Sequence, residues 1–203
     1  MTIEDFNFPD NDLSKTLFFL KEAGKLKSVI RQTLLKHEER FENSAEHSWH
    51  LTLMAICLQK HSNQDINIER VIKMLAVHDL GEVYHGDTFL YDVARDNVSD
   101  AEKQALIKLL SKIPQELKDE IIDLWTEFEE SKTPEAKYAQ GLDRFQPFIE
   151  QLDNGGESWK RNNISHKKAL AKNEHIGEGS KELWDLYQEL AQQAKDKNLF
   201  HKG

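Results

Sequence analysis

The sequence predicts an all-α fold. Apolar residues recur at helical spacing, helix-start signals precede several of those runs, and no segment sustains period-two alternation. In chain order, residues 1–12 read as a loose arm interrupted by Pro9, Asn11 and Asp12. A helix begins near Leu13 in LSKTLFFLKEAGKLKSVI, with a break at Gly24. KHEERFENSA reads as polar and irregular. Asn43, with Glu46 three residues on, has capping-box spacing and starts a helix through HSWHLTLMAICLQK. That run is apolar on more than one face, which predicts a central helix. In INIERVIKMLAV the stripe is Ile68, Val71, Ile72, Leu75 and Ala76. Gly81 and Gly86 then loosen the chain. Ser99 and Glu102 repeat the capping-box pattern before AEKQALIKLLSKI. QELKDEIIDLWTEFEES places Leu117, Ile121, Leu124, Trp125 and Phe128 on one side. Thr133 and Pro134 form a cap and first turn for a stripe of Tyr138, Leu142, Phe145, Ile149 and Leu152, which Asn154-Gly155-Gly156 ends. ISHKKALAK is a shorter basic helix and ELWDLYQELAQQAK a final amphipathic one.

A chain of 203 residues suits one domain, with a core over about 13–155 and C-terminal helices over 158–200 packed on it or at a dimer interface. Its net charge of -9 disfavours general binding to a nucleic-acid backbone. A small anionic ligand stays compatible, because a bound metal reverses the field locally. The single Cys57 excludes an intrachain disulfide and a thiolate cluster. The opening MTIEDFNFPD lacks the basic and apolar regions of a signal peptide, and no apolar run reaches membrane-spanning length. A soluble, cytoplasmic protein is the expectation.

The chemistry gathers in HDLGEVYHGD, residues 78–87, directly after an apolar helix. An ionised aspartate there needs a partner or a metal. Metal candidates are His47, His50, His78, Asp79, His85, Asp87 and Asp143. Imidazole with carboxylate suits borderline or hard divalent ions such as zinc, manganese, cobalt or magnesium. His47, the His78–Asp79 pair and Asp143 fall on three separate helices, so the reading requires the fold to bring them together. His50 is assigned a structural or supporting role and His85 a loop position. Trp125, Phe128, Phe145 and Phe148 are assigned to core or interface. Leu183, Trp184, Tyr187 and Leu190 pack the last helix on the domain or on a second subunit. The basic run KRNNISHKK beside Trp159 reads as a solvated face.

EHSWH, HDLGEVYHGD and a late helix carrying GLDRFQP resemble the HD-domain metal-dependent phosphohydrolases, in particular the small proteins related to 5'-deoxynucleotidases. The resemblance spans roughly residues 15–155 and rests on the ordered set H…HD…D, with HDxxE and a GD ending nine positions after the histidine. It implies an α-helical bundle, often a homodimer, with His47, His78, Asp79 and Asp143 holding a divalent metal ion. It further implies that Glu82 acts on the attacking water, that Asp87 lies near the leaving group and sugar, and that Arg31 meets the phosphate. Deoxynucleotidases of this group often carry tryptophan directly after that arginine, where this chain has Gln32.

The chemistry of these residue types agrees with that assignment. A divalent ion lowers the pKa of its bound water and neutralises a phosphate oxygen. Four protein ligands leave positions open on one six-coordinate ion but would close a tetrahedral site. A carboxylate can take the water's proton, another can supply the leaving alcohol's proton, and a guanidinium can fork onto phosphate. The expectation is a phosphohydrolase with one ion (manganese, cobalt, magnesium or zinc) that releases phosphate from nucleoside 5'-monophosphates, including deoxyribonucleotides. Its partners are then a small nucleotide and a second copy of the chain, with no nucleic acid or membrane. The rivals are a phosphodiesterase or pyrophosphohydrolase of a signalling nucleotide, and a non-catalytic helical protein that binds a metal or nucleotide.

Overall fold

The structure is a computed structural model and describes residues 5–91 and 98–202. Helix α1 spans Asp12–Ala23, with Asn11 accepting from the Ser14 amide as its cap. A 3₁₀ turn over Gly24–Ser28 follows, so the break at Gly24 falls where expected. The next segment corrects the sequence reading. Strand β1 (Ile30–Leu35) pairs antiparallel with β2 (Arg40–Asn43), and all of KHEERFENSA but its last two residues is therefore the turn and second strand of a hairpin. The register pairs Leu34 with Phe41 and Leu35 with Arg40, with an irregularity before Ile30 meets Asn43. Of β1 only Thr33 is buried, so the ribbon carries no alternating pattern that a sequence could display.

Helix α2 (Ser44–Leu58) opens on the anticipated box: the Asn43 side chain accepts from the Glu46 amide, and Glu46 returns to the Asn43 amide. It buries His47, Ser48, Leu51 and Ala55, but it is not wrapped on all sides. Trp49, Leu53 and Ile56 are 66%, 43% and 50% exposed and form an i, i+4, i+7 stripe. Helix α3 (Ile68–Val77) buries Val71, Met74 and Leu75. The one-turn helix α4 (Glu82–His85) lies between Gly81 and Gly86. Gly81 does more than loosen the chain: a Cβ there would lie 2.8 Å from the Glu102 carbonyl oxygen, so only glycine permits this approach to the next helix. Gly86 has φ +86°, which re-aims the chain toward Asp87.

Helix α5 covers Val98–Leu109. The Ser99 side chain, expected as its cap, lies outside the described residues. Helix α6 (Gln115–Glu130) buries Ile121, Leu124, Trp125 and Phe128, as its stripe predicts. Helix α7 (Pro134–Asp153) starts on Thr133 and Pro134 and ends at Asn154, with Gly155 and Gly156 at positive φ. Tyr138, Leu142, Phe145 and Phe148 are buried. Ile149 departs from the expected stripe and is 37% exposed. Pro147 lies inside the helix, which continues through it.

The chain closes with α8 (Glu157–Arg161), α9 (His166–Asn173), α10 (Ile176–Gly179) and α11 (Lys181–Asp196). Helices α2, α3, α6, α10 and α11 all pack on α7. One buried cluster runs from Leu51 and Leu75 through Phe145 to Tyr187 and Phe200. Trp159 belongs to that cluster and stacks on Phe200, while Lys160 and Arg161 beside it remain on the surface. A second cluster, with Phe19, Leu80, Leu110 and Trp125, ties α1, α5 and α6 together. Among the described residues no helix is long and apolar enough to cross a membrane.

Candidate functional site

The site is assembled from five places in the chain. The capping box fixes the start of α2 and sets His47 one turn in, fully buried. His78 ends α3, its amide bonded to the Met74 carbonyl, and Asp79 follows it. Asp143 lies midway along α7, also buried. Ligand atoms of His47, His78 and Asp79 all lie within 4.8 Å of one another. Asp143 Oδ1 is 2.9 Å from His47 Nε2 and 3.8 Å from His78 Nε2. Arg31 reaches in from β1: its Nη1 is 3.3 Å from both Asp79 Oδ2 and Asp87 Oδ1. Glu82, buried at the start of α4, accepts a 2.6 Å bond from the Ser44 hydroxyl. The structure therefore brings together Arg31, His47, His78, Asp79, Glu82, Asp87 and Asp143, the residues to which the family resemblance assigned roles. His85 is exposed and stands apart. His50 does not join the group but places Nδ1 3.3 Å from Gln146 Nε2.

Two buried side chains that sequence reasoning missed support His47. Gln146 Nε2 donates to Glu42 Oε1 at 2.9 Å, which turns the amide oxygen toward His47 Nδ1, also at 2.9 Å. That oxygen can only accept, so Nδ1 carries the proton and Nε2 presents a lone pair. His78 is set the same way, with Nδ1 donating to the Leu75 carbonyl at 2.9 Å. Gln146 was visible as a polar residue three positions after Asp143, hence on the same helical face. Glu42 carried no such signal, because its strand was not recognised.

Electrostatics make this arrangement demanding. Burial, then the Arg31 charge, lowers the His47 pKa and keeps the ring neutral. Burial would raise Asp143, but the Arg144 charge and the adjoining imidazoles of His47 and His78 hold its carboxyl well below the usual range. Burial opposes charge on His78 as well; Asp79 and Asp143 outweigh it and push the ring up to about 9. Arg31 is largely withdrawn from solvent yet held charged by Asp79, Asp87, Glu82 and Asp143. Burial, with Asp79 and Asp87, pushes Glu82 up to about 9 against the pull of Arg31. Burial likewise pushes Glu42 up to about 7.

A divalent cation fits this donor set. The His47 Nε2 lone pair faces an ionised Asp143 oxygen at 2.9 Å, two electron-rich atoms that only a proton or a metal reconciles. His78 Nε2 is buried and makes no hydrogen bond, although Asp79 Oδ1 is 3.1 Å away. Both histidines have their outer nitrogens already engaged, the usual preparation of an imidazole ligand. His78, Asp79, Glu82, Asp87, Asp143 and Arg31 line one cavity, which continues past Phe89, Tyr91 and Asn173. Such a site can bind an anionic ligand beside a metal and exclude much of the surrounding water.

Comparison with known proteins bears on this geometry. The model of a family described as "HD domain" matches residues 23–184. A protein named 5'-deoxynucleotidase HDDC2, from Dictyostelium discoideum, is 33% identical over 148 residues, which is 70% of this chain and 78% of that protein. A 5'-deoxynucleotidase from Citrobacter koseri is 28% identical over 169 residues, 77% of this chain and 84% of its own length. A crystal structure described as a predicted metal-dependent phosphohydrolase, from Magnetospirillum magnetotacticum, superposes with a TM-score of 0.90 at 34% identity, covering 97% of this chain and 99% of its own.

Proposed function

The chain belongs to the HD-domain family, and from that premise we propose that it is a divalent-metal-dependent phosphohydrolase that releases phosphate from nucleoside 5'-monophosphates. The observation that carries the reading is the convergence of His78, Asp79 and Asp143 beside Arg31, Glu82 and Asp87 in one cavity, with His47 buried against Asp143. The names of the relatives, 5'-deoxynucleotidases, support a nucleotide substrate that includes deoxyribonucleotides.

In this reading His47, His78, Asp79 and Asp143 hold one ion, manganese, cobalt, magnesium or zinc. When bound, that ion supplies charge against a phosphoryl oxygen and acidifies a coordinated water. Arg31 presents its guanidinium fork to the phosphate, held in place by Asp79 and Asp87. With a cation beside Asp79 to offset the charges that help burial keep it protonated, Glu82 ionises and takes the proton of the attacking water through the oxygen that Ser44 leaves free. Asp87 passes the leaving 5'-oxygen a proton drawn from solvent and returns to the carboxylate that faces Arg31. Among the described residues lining the cavity, the permanently cationic side chains are Arg31 and Arg144, and both face carboxylates. Two such cations suit one phosphate group better than a chain of them, which favours the monophosphate over the pyrophosphohydrolase alternative.

We further infer a homodimer in the cytoplasm. The apolar stripe Trp49, Leu53 and Ile56 supports the dimer, since a stripe that exposed marks an interaction surface. One hydrophobic cluster shared by residues from Leu51 to Phe200 supports reading the chain as a single domain. The function is tested by stripping metal with a chelator, adding back each of the four ions, and measuring phosphate released from nucleoside 5'- and 3'-monophosphates. Metal-restored release from the 5' esters alone is expected. Silence with every ion and every 5' ester would remove the proposal.

A further inference from the structure

We propose that Asn173 and Tyr91 form a nucleobase subsite in the same cavity, reading a donor–acceptor edge of the base; this rests on the nucleotidase reading above. Asn173 lies near the end of α9, is 3% exposed and lines the cavity together with Tyr91. Its amide orientation is fixed by chemistry. Nδ2 lies 2.8 Å from the Ala169 carbonyl, which only accepts, so the nitrogen must face that way. Its second proton is shared between the Tyr187 hydroxyl at 3.1 Å and the Tyr91 hydroxyl at 3.2 Å. Asn173 Oδ1 is left buried without a hydrogen-bond partner. A buried orphan acceptor is costly, and it persists where a ligand donor satisfies it.

Tyr91 complements it. Its hydroxyl oxygen accepts from Asn173, and no acceptor for its proton is found among the described residues. An unfilled acceptor and an unspent donor thus lie side by side. The Watson–Crick edge of every nucleobase presents a neighbouring donor and acceptor, so the pair suits a base without selecting strongly among bases. Phe89 packs against Tyr91 with ring centroids 5.4 Å apart and lines the same cavity, which supplies the apolar face a base requires. The subsite is also linked to the reacting end. Arg144 Nη1 lies 3.4 Å from Asp143 Oδ2, and its charge reaches the Tyr91 hydroxyl.

The test compares substrates with and without a base: nucleoside 5'-monophosphates against ribose 5-phosphate and deoxyribose 5-phosphate. Losing one such bond should raise KM for the nucleotides roughly five- to tenfold in Asn173→Leu. KM for the sugar phosphates and kcat for both classes should stay within roughly twofold of wild type. Asn173 also holds Ala169 and Tyr187, so Tyr91→Phe serves as a second variant that deletes a single hydroxyl. It should raise nucleotide KM roughly threefold, with the sugar phosphates unchanged. Equal KM for nucleotides and sugar phosphates in the wild type, or an equal effect of Tyr91→Phe on both, overturns the subsite while leaving the phosphohydrolase standing. No hydrolysis of either class by the wild type removes both.

Discussion

Replacing Glu82 by glutamine should stabilise the metal-free protein while disabling hydrolysis. Burial and the neighbouring Asp79 and Asp87 push this carboxyl from 4.5 up to about 9, so the folded chain holds a proton that the unfolded chain releases. A folded pKa above the unfolded one contributes stability that is complete below about 4.5 and is lost as pH rises toward about 9. At pH 8 the full shift would amount to an upper limit of about 5 kcal/mol. Screening within an open cleft reduces this to about 1–3 kcal/mol. Glutamine keeps the shape and can still accept the Ser44 hydroxyl, so the cost disappears with no cavity created. Chemical denaturation of the chelated protein at pH 8 and pH 5 measures the effect. The gain of about 1–3 kcal/mol at pH 8 should shrink toward zero at pH 5. Phosphate release by the metal-loaded variant should fall roughly 10²- to 10⁴-fold, the usual contribution of a general base. A variant that is less stable at pH 8, or equally stabilised at both pH values, would refute the electrostatic account. Undiminished turnover would refute the assigned role.

Four further outcomes follow from the same geometry. Asp143→Ala removes a buried carboxylate between two histidines and should abolish stoichiometric metal binding and turnover together; normal metal content by elemental analysis would remove Asp143 from the ligand set. Gln146→Leu frees the His47 ring and should weaken metal affinity roughly 10- to 100-fold, with the shift from Nδ1–H visible by ¹⁵N NMR of the apo protein. Glu42→Gln, which can still accept from Gln146, should leave that tautomer intact. Leu53→Glu should halve the mass measured by light scattering without unfolding the chain, because it charges the exposed α2 stripe.

What the sequence disclosed was local. Asn43 with Glu46, and Thr133 with Pro134, place their helix starts correctly because caps are satisfied within one turn. The stripes of α3 and α6 are legible because each helix buries a single face. The hairpin escaped notice because only Thr33 of β1 is buried, and its pairing leaves no periodic trace. It matters for function, since Arg31 and Glu42 both project from it. The roles of Gln146 and Glu42 depend on partners 99 and 104 positions away, a distance over which no local pattern extends. Ile149 sits at the rim of the face that buries Phe145 and Phe148, where four-residue spacing alone does not separate buried from exposed. HDLGEVYHGD exposed most of the chemistry, yet its meaning depends on His47 and Asp143 meeting it in space.

The most direct test of the central claim is one matrix of phosphate release. The purified chain is assayed on nucleoside 5'-monophosphates, diphosphates, triphosphates and cyclic nucleotides, each with manganese, cobalt, magnesium or zinc after chelation. The account predicts inorganic phosphate from ribo- or deoxyribonucleoside 5'-monophosphates with at least one ion, and far less from the other classes. Turnover confined to cyclic or polyphosphorylated nucleotides, or tight metal binding with no turnover of any substrate, would contradict it.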